Sequence, residues 1–278
     1  MSRILPLATA AEPPALERDE IVLTVAEGKR LIGLGVAALP VVQRALKRGV
    51  IGIARGTTNG YVAEALLGRS IDRLAFTTAL VMPAGHSPRE LRDDREMGEI
   101  VIERGIVVAG KTLAEAARAM GPDDVIIKGA NALNYRQQVA GILIQNATGG
   151  TIGGVMGSIM GRRITLVIPV GLEKEISADI YEASRALERQ RKPALALWPV
   201  TGLIVTEIEA LKLLAGVEAL QIGAGGVAGA EGGVRLLLQG NAEQMQAAAA
   251  VIERVRGEPS LADAAHKMRE TYGRRSES

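Results

Sequence analysis

Three polar segments of the sequence contain residue types that could hold an anionic ligand. The first, residues 51–60, runs from an apolar stretch through a Gly/Thr loop into a helical pattern. Such a loop points free backbone N–H groups and a helix dipole at a ligand, hydroxyl groups add donors, and an arginine can pair with phosphate. The alternative is an ordinary strand-to-helix turn with a threonine N-cap. The candidate ligand residues of this segment are Arg55, Gly56, Thr57, Thr58 and Asn59.

The second segment, residues 123–135, places polar groups directly after a short apolar run. In open α/β sheets, ligands bind at the carboxyl ends of the strands. Lys128 would serve there as a cationic contact or as a buried-amine catalyst, and Asn131 and Asn134 would meet the polar body of the ligand. The alternative is a simple turn, because asparagine tolerates turn geometry and bonds its own backbone.

The third segment, residues 146–154, is rich in glycine. Glycine at this density lets the backbone approach either a ligand or another structural element closely, and the sequence leaves both possibilities open. The candidate ligand residues of this segment are Thr148, Gly149 and Gly150.

Two further residues are candidates for proton transfer beside Lys128. His86 lies in a predicted loop, where catalytic groups often occur, although a lone loop histidine can simply be solvated. Glu173 follows an apolar run and could be a catalytic carboxylate; the alternative is an acidic first-turn residue that favours the helix dipole.

Residues 223–228 match the dinucleotide-binding pattern G-x-G-x-x-A, which requires a helix directly after it. Three more glycines follow in this sequence, and then an apolar strand-like run. We therefore predict that residues 223–228 join two antiparallel strands and bind no nicotinamide cofactor.

The composition excludes several classes of function. The chain has 278 residues, no Cys and two His, which removes cysteine-based zinc sites, thiol nucleophiles, iron–sulfur clusters and multi-histidine metal sites. One Trp, four Tyr and one Phe are too few for a base-stacking surface, and a net charge of +2 gives no electrostatic reason to expect nucleic acid. We expect no metal and no cofactor. The absence of Cys and of a secretory signal predicts a cytoplasmic protein.

Apolar runs alternate with helical patterns along most of the chain, which predicts an α/β protein with an open, mostly parallel sheet and flanking helices. The uncharged stretch 139–161 is read as a strand, a glycine turn and a buried helix rather than as a membrane span, because polar residues and a Gly-Gly pair interrupt it. The predicted strands are 50–54, 73–81, 100–108, 125–128, 139–145 and 163–169. The predicted helices start at the Thr24–Glu27 capping box and cover 40–49, 60–67, 112–120 and 176–189.

After residue 192 the predicted order of strands and helices changes to βαββα. This order predicts a small ferredoxin-like α+β domain, whose last helix begins at the N-cap Asn241. The expected organisation is an irregular arm at 1–24, an α/β domain at 25–192, the ferredoxin-like domain at 193–260 and a polar tail at 261–278.

Taken in order, these segments resemble the superfamily of ribose-5-phosphate isomerase A, glucosamine-6-phosphate deaminase, CoA transferases and initiation-factor-2B-like proteins. Residues 51–59 look like the isomerase's "IGLGTGST" phosphate loop, and residues 128–134 stand where the isomerase has "DGADEVD". The glycine-rich residues 148–157 and the strand 164–169 follow as in its relatives. The resemblance covers about 25–260 and implies an open α/β scaffold with a phosphate loop and a ferredoxin-like lid.

The catalytic residues of that superfamily are not matched. The isomerase's acidic residues fall near Asn131 and Leu133, and its "KGGG" lysine has no counterpart at 148–151. The sequence therefore predicts an enzyme acting on a small phosphorylated metabolite, isomerase- or transferase-like, that forms a homo-oligomer. A non-catalytic metabolite sensor or assembly subunit is the first alternative, and an NAD(P)-dependent enzyme is the second.

Overall fold

The computed structural model describes residues 15–78, 81–82, 96–189, 195–261 and 263. Within them the chain is a mixed α/β protein. The strands there are β1 (Glu17–Leu23), β2 (Val50–Ile53), β3 (Ile100–Glu103), β4 (Ile106–Val107), β5 (Val125–Ile127), β6 (Ala132–Asn134), β7 (Val139–Ile144), β8 (Thr165–Pro169), β9 (Ala196–Val200), β10 (Leu203–Val205), β11 (Glu218–Gly225) and β12 (Gly233–Gly240). The helices are α1 (Val25–Ala38), α2 (Pro40–Arg48), α3 (Thr57–Leu67), α4 (Leu113–Ala117), α5 (Gly150–Arg162), a 3₁₀ turn (Leu172–Lys174), α6 (Ile180–Glu188), α7 (Glu207–Ala215) and α8 (Ala242–Val255).

The main sheet has six strands in the order β10-β8-β5-β2-β3-β4. The pairs β10–β8, β8–β5 and β5–β2 are parallel, whereas β3 and β4 continue the sheet antiparallel. This confirms the predicted mostly parallel sheet with flanking helices. The three central strands β2, β5 and β8 are almost entirely buried, as expected for short apolar strands covered on both faces.

The core lies on both sides of this sheet. On one face, Ile51, Ile127 and Val167 pack with apolar residues of α1, α2 and α3. On the other face, Ile126 and Leu166 belong to a cluster that includes side chains of α4 and α5. Because both faces are covered, the parallel strands can reach open space only at their ends.

Two smaller antiparallel sheets complete the fold, with the orders β1-β12-β11 and β6-β7-β9. The strands expected to form the ferredoxin-like module are divided between the two smaller sheets: β9 pairs with β7, whereas β11 pairs with β12 and β12 also pairs with β1. A separate ferredoxin-like domain is therefore not confirmed. Residues 17–23, which the sequence assigns to an irregular arm, form β1 because Ile21 and Leu23 are buried beside β12.

Several sequence-based element predictions are confirmed. The capping box of Thr24 and Glu27 opens α1, Pro40 is the first residue of α2, and Asn241 caps α8. β11 and β12 are antiparallel, so residues 223–228 lie at the end of a strand and in a hairpin connection, as predicted. The stretch 139–161 forms β7, a turn and α5. In the described ranges, no helix combines the length and the apolar character needed to cross a bilayer.

Two predicted strands are wrong in part. The strand expected at 73–81 is not formed over the described residues 73–78, which make a turn instead. Asp72 initiates this turn, because its Oδ1 accepts a hydrogen bond from Ala75 N and its carbonyl oxygen accepts one from Phe76 N, both at 3.0 Å. The strand expected at 100–108 is the hairpin β3–β4, whose turn has positive φ angles at Arg104 and Gly105.

Two helices begin elsewhere than predicted. α3 begins at Thr57 rather than at residue 60, so the Thr-Thr-Asn part of the expected loop forms its first turn. α6 begins at Ile180 rather than at residue 176. The reason is that the backbone N–H of Ile176 donates to Leu133 O at 2.8 Å, which holds the chain extended beside β6.

Candidate functional site

The three polar segments meet at the carboxyl edge of the main sheet. At this edge the backbone hydrogen bonds of the sheet continue one residue beyond β2 and β5. Ala54 N donates to Ile127 O at 2.9 Å, and Lys128 N donates to Val167 O at 3.0 Å. The segments that follow β2, β5 and β8 line a cavity of about 560 Å³, here called the threonine cavity. A second space of about 420 Å³, the glycine cavity, is lined by residues before and within the first turn of α5. Four residues border both cavities: Arg55, Thr78, Lys128 and Asn131.

The first turn of α3 presents free backbone donors to the threonine cavity. Its N-cap is Gly56, which has no side chain to cap the helix. Gly60 N makes the first helical hydrogen bond, to Gly56 O at 2.9 Å. The backbone N–H groups of Thr57, Thr58 and Asn59 find no partner among the described residues. A helix terminus of this kind favours a bound anion.

Two side chains of the same turn carry buried atoms that no described residue satisfies. Thr58 and Asn59 are 2% and 1% exposed. Thr58 Oγ1 has no hydrogen-bond partner in the described part of the chain, and neither has Asn59 Oδ1. The amide nitrogen of Asn59 is used, since it donates to Ala54 O at 2.8 Å. Buried polar atoms are normally paired, so a hydroxyl donor and an amide acceptor left open beside a cavity suit a polar ligand.

Two lysines lie side by side at the floor of the threonine cavity. Lys128 Nζ donates to Gly129 O at 3.1 Å, and Lys174 Nζ donates to Ala130 O at 2.9 Å. Burial and the positive charge of Lys174 lower the pKa of Lys128, Glu99 acts in the opposite direction, and the resulting pKa is about 8. Burial also lowers the pKa of Lys174. Close, buried amines of this kind give up a proton far more easily than surface lysines.

Two carboxyl groups stand on the α1 side of these lysines. Glu173 lines the cavity, and its Oε1 lies 3.5 Å from Lys29 Nζ. Glu207 is buried, and its Oε2 accepts a hydrogen bond from Leu172 N at 2.9 Å. Burial raises the pKa of Glu207, and the neighbouring charge of Glu173 adds to the effect. Gly28 makes the approach of Glu207 to α1 possible, because a Cβ there would lie 2.5 Å from Glu207 Oε1.

The first turn of α5 borders the glycine cavity. Its N-cap, Gly149, has a positive φ of 82° and no capping side chain. The same turn is closely packed, since a Cβ on Gly153 would lie 2.2 Å from Thr148 O and one on Gly149 would lie 3.1 Å from Trp198 Cζ3. The glycines therefore allow close packing and also leave backbone groups exposed at the cavity.

The side chain of Asn131 makes a structural hydrogen bond and also lines the cleft. Its Oδ1 accepts a hydrogen bond from Leu143 N at 3.1 Å, and its backbone N–H donates to Gly141 O at 2.8 Å. These bonds fix the start of the β6–β7 hairpin. The amide nitrogen of Asn131 makes no hydrogen bond with the described residues, so it can donate to a ligand in either cavity.

The structure brings most of the predicted site residues together. Asn134 and Thr148 do not line either cavity. Asn134 Oδ1 accepts from Gln137 N at 3.1 Å and its Nδ2 donates to Ala178 O at 3.2 Å, and Thr148 Oγ1 donates to Asn146 Oδ1 at 2.7 Å. His86 lies outside the described residues. The predicted residues that do line the cleft are Arg55, Gly56, Thr57, Thr58, Asn59, Lys128, Asn131, Gly149, Gly150 and Glu173.

Several polar residues that line the cleft are absent from the predicted site, among them Lys29, Thr77, Thr78 and Lys174. Lys174 directly follows a residue that was singled out, so its neighbour was the available signal. Lys29 has no comparable signal, because it reaches the cavity from a helix whose pattern only indicates packing. The side chain of Arg55 is held by two residues. Its Nη2 donates to Thr77 O at 3.1 Å, and its Nη1 pairs with the carboxylate of Glu96.

In the described ranges, no group of three or more His, Asp or Glu side chains could hold a metal ion. Comparisons of the chain with protein-family models, with curated proteins and with solved structures found no significant match. The inference of function therefore rests on the chemistry of the cleft.

Proposed function

We propose that the protein is an enzyme that acts on a small phosphorylated metabolite bearing hydroxyl groups, such as a sugar phosphate or a nucleotide. The phosphate would lie at the first turn of α3, where three backbone N–H groups and the Thr58 hydroxyl have no described partner. That set of unsatisfied buried donors is the observation that carries the proposal.

The charge of the cleft supports an anionic ligand. Four basic side chains line the threonine cavity, against the two carboxylates Glu173 and Glu175. A cavity of about 560 Å³ is of the size that small metabolites occupy in enzymes. The basic side chains are Lys29, Arg55, Lys128 and Lys174.

The remaining polar atoms support a hydroxyl-bearing body on that ligand. Asn59 Oδ1 is a buried acceptor that an anion cannot satisfy, whereas a sugar hydroxyl can donate to it. The free amide nitrogen of Asn131 offers a complementary donor at the border of the two cavities. A polyhydroxy phosphate matches both groups.

Proton transfer in this proposal falls to Lys128 and Glu173. The lowered pKa of Lys128 leaves a useful share of neutral amine near pH 7, which suits a general base. The order of the phosphate loop, the Lys128 segment and the glycine-rich segment along the chain supports an isomerase- or transferase-like scaffold of the superfamily that the sequence resembles.

Thr58→Val tests the phosphate site, since it keeps the side-chain shape and removes only the unpaired hydroxyl. Losing one hydrogen bond to a charged group costs about 1.5–3 kcal/mol, or about tenfold to a hundredfold in affinity. We expect this loss for ribose 5-phosphate measured by calorimetry, with unchanged protein stability, because no described partner is lost.

Thr112→Val is the matched control. Thr112 caps α4 through its hydroxyl, which accepts from Glu115 N at 3.2 Å, and it lines neither cavity. We expect it to cost about 1 kcal/mol of stability and nothing in affinity. The proposal would be contradicted if no phosphorylated compound in a screen of sugar phosphates and nucleotides stabilised the protein, or if Thr58→Val left binding of the best ligand unchanged.

A further inference from the structure

Lys128, like its neighbour Lys174, differs from several other lysines of the protein in its partners. Lys29, Lys111 and Lys212 each have a carboxylate oxygen within 3.5 Å. Lys128 forms no ion pair in the described part of the chain, and its one hydrogen bond goes to a neutral carbonyl oxygen, Gly129 O. A partly buried ammonium without a counter-ion is unfavourable, so a larger share of this amine is neutral at pH 7 than of a surface lysine. The neutral amine has a lone pair, which makes it a nucleophile.

The neighbouring Lys174 lies close enough to contribute to the lowered pKa of Lys128. Lys174 donates to Ala130 O, the carbonyl next along the chain from the one that Lys128 uses. Burial has the largest effect on the pKa of Lys174 and lowers it, Glu173 opposes that effect, and Lys29 adds to it. A second cation beside a buried lysine is a known way of activating an amine for attack on carbonyl compounds. Lys128 differs from Lys174 in its position, because Lys128 borders both cavities whereas Lys174 borders only the threonine cavity.

The position of Lys128 relative to the anion site is also suitable. Gly129, the next residue, contacts the first turn of α3 so closely that a Cβ on it would lie 3.3 Å from Asn59 Oδ1. Lys128 itself borders both cavities. A short phosphorylated molecule held at α3 would therefore place its far end beside the amine.

We infer that Lys128 forms an imine with the aldehyde or ketone group of the bound phosphorylated metabolite. The nitrogen lone pair forms the N–C bond while the carbonyl π pair moves to oxygen. Both amine protons then leave with that oxygen as one water molecule, and a C=N bond remains. The step needs no oxidant or reductant. The inference rests on the proposed function and narrows its substrate class to open-chain aldose or ketose phosphates.

Reductive trapping on the full-length chain tests the inference. The protein is incubated with glyceraldehyde 3-phosphate and sodium cyanoborohydride, and the adduct is located by peptide mass spectrometry. We expect one adduct per chain, at Lys128, formed at least about tenfold faster than at surface lysines, because far more of this amine is neutral at pH 7. Lys111→Arg should keep the adduct and Lys128→Arg should lose it. Adducts mainly at Lys174, or spread over surface lysines as in urea-unfolded protein, would overturn the inference, whether or not Lys128→Arg folds.

Glycerol 3-phosphate separates this inference from the proposed function. It has the same phosphate but no carbonyl group, so it should slow the trapping by competition and form no adduct itself. If both phosphates bind but Lys128 is not labelled, the imine is wrong and the phosphate site stands. If neither phosphate binds by calorimetry, the proposed function fails, whatever the labelling shows.

Discussion

Two groups of partly buried charged side chains differ in how completely their charges are paired. In the first, here called the arginine cluster, Arg30 and Arg73 each face both Glu64 and Glu258. Arg30 lies 2.8 Å from Glu64 and 2.9 Å from Glu258, and Arg73 lies 2.8 Å from Glu258 and 3.6 Å from Glu64. The Tyr61 ring lies between the guanidinium groups, 4.6 and 4.2 Å from their carbons. Every charge of this cluster has a partner within the chain.

The cleft is paired only in part, since Lys29 pairs with Glu173 and Arg55 with Glu96, whereas its other two basic residues differ. Lys128 and Lys174 donate to carbonyl oxygens, and in the described part of the chain neither has a carboxylate at ion-pair distance. The helices differ in the same way: α1, α4, α7 and α8 have complete capping boxes, whereas α3 and α5 begin with an uncapped glycine at the cleft. Charged side chains that pair with each other stabilise the fold, whereas charged side chains without a carboxylate partner are available to bind a ligand.

Breaking the arginine cluster should have the largest effect on stability. Glu64 is buried, bonds both arginines, and also accepts a hydrogen bond from Ile71 N at 3.1 Å. Glu64→Ala leaves both arginines and the backbone N–H of Ile71 without this carboxylate. Losing one partner of a buried ion pair costs about 3–5 kcal/mol. Urea denaturation should show this loss, while calorimetry with ribose 5-phosphate should show little change per folded molecule. A loss below 1 kcal/mol would remove the distinction between the two groups.

Lys128→Met should change stability in the other direction. The folded pKa of about 8 lies below the ordinary value of 10.5, so the unfolded chain binds the proton more tightly. At 1.36 kcal/mol per pH unit, this corresponds to at most about 3 kcal/mol of destabilisation below pH 8. We expect the variant to be more stable than the natural protein by up to that amount at pH 7, with the gain shrinking as pH rises from about 8 to 10.5. A destabilised variant at pH 7 would show that the lysine is a structural residue.

Glu207→Gln should have the smallest effect and the opposite pH dependence. The pKa of Glu207 is raised in the fold, so the folded protein keeps a proton that the unfolded chain releases as pH rises above its ordinary value of 4.5. The stability of the natural protein should therefore fall with pH relative to the variant. From pH 6 to pH 7 the difference should grow by up to about 1.4 kcal/mol. Parallel pH profiles from thermal unfolding would contradict a protonated Glu207.

The sequence was most informative where local chemistry alone decides the structure. Short apolar runs indicated β2, β5 and β8, and the strand-end rule placed Arg55 and Lys128 at one edge of the sheet. The ferredoxin-like module was not predictable in this way, because a βαββα order does not state which strands pair. The partners of β9, β10 and β12 are set by contacts distant in the sequence.

Residues such as Lys29 and Glu207 were missed for a related reason. Both are charged side chains on amphipathic helices, where a solvent-facing position is the ordinary expectation. Their burial follows from the contact of α1 with α7, where Gly28 faces Glu207 and Gly35 faces Ala210. The sequence shows those glycines but does not show which helix lies against them.

The pairing of β1 with β12 has a consequence for how the protein is made. Glu17 is opposite Gly240 in that ladder, so the two strands lie about 220 residues apart in the chain. At a translation rate of about 5–20 residues per second, β1 leaves the ribosome roughly 10–45 s before its partner exists. Ile21 and Leu23, which are buried in the finished protein, stay uncovered during that interval. The β1–β12 ladder can therefore close only after β12 has been synthesised, which makes it a late step of folding on the ribosome's timescale.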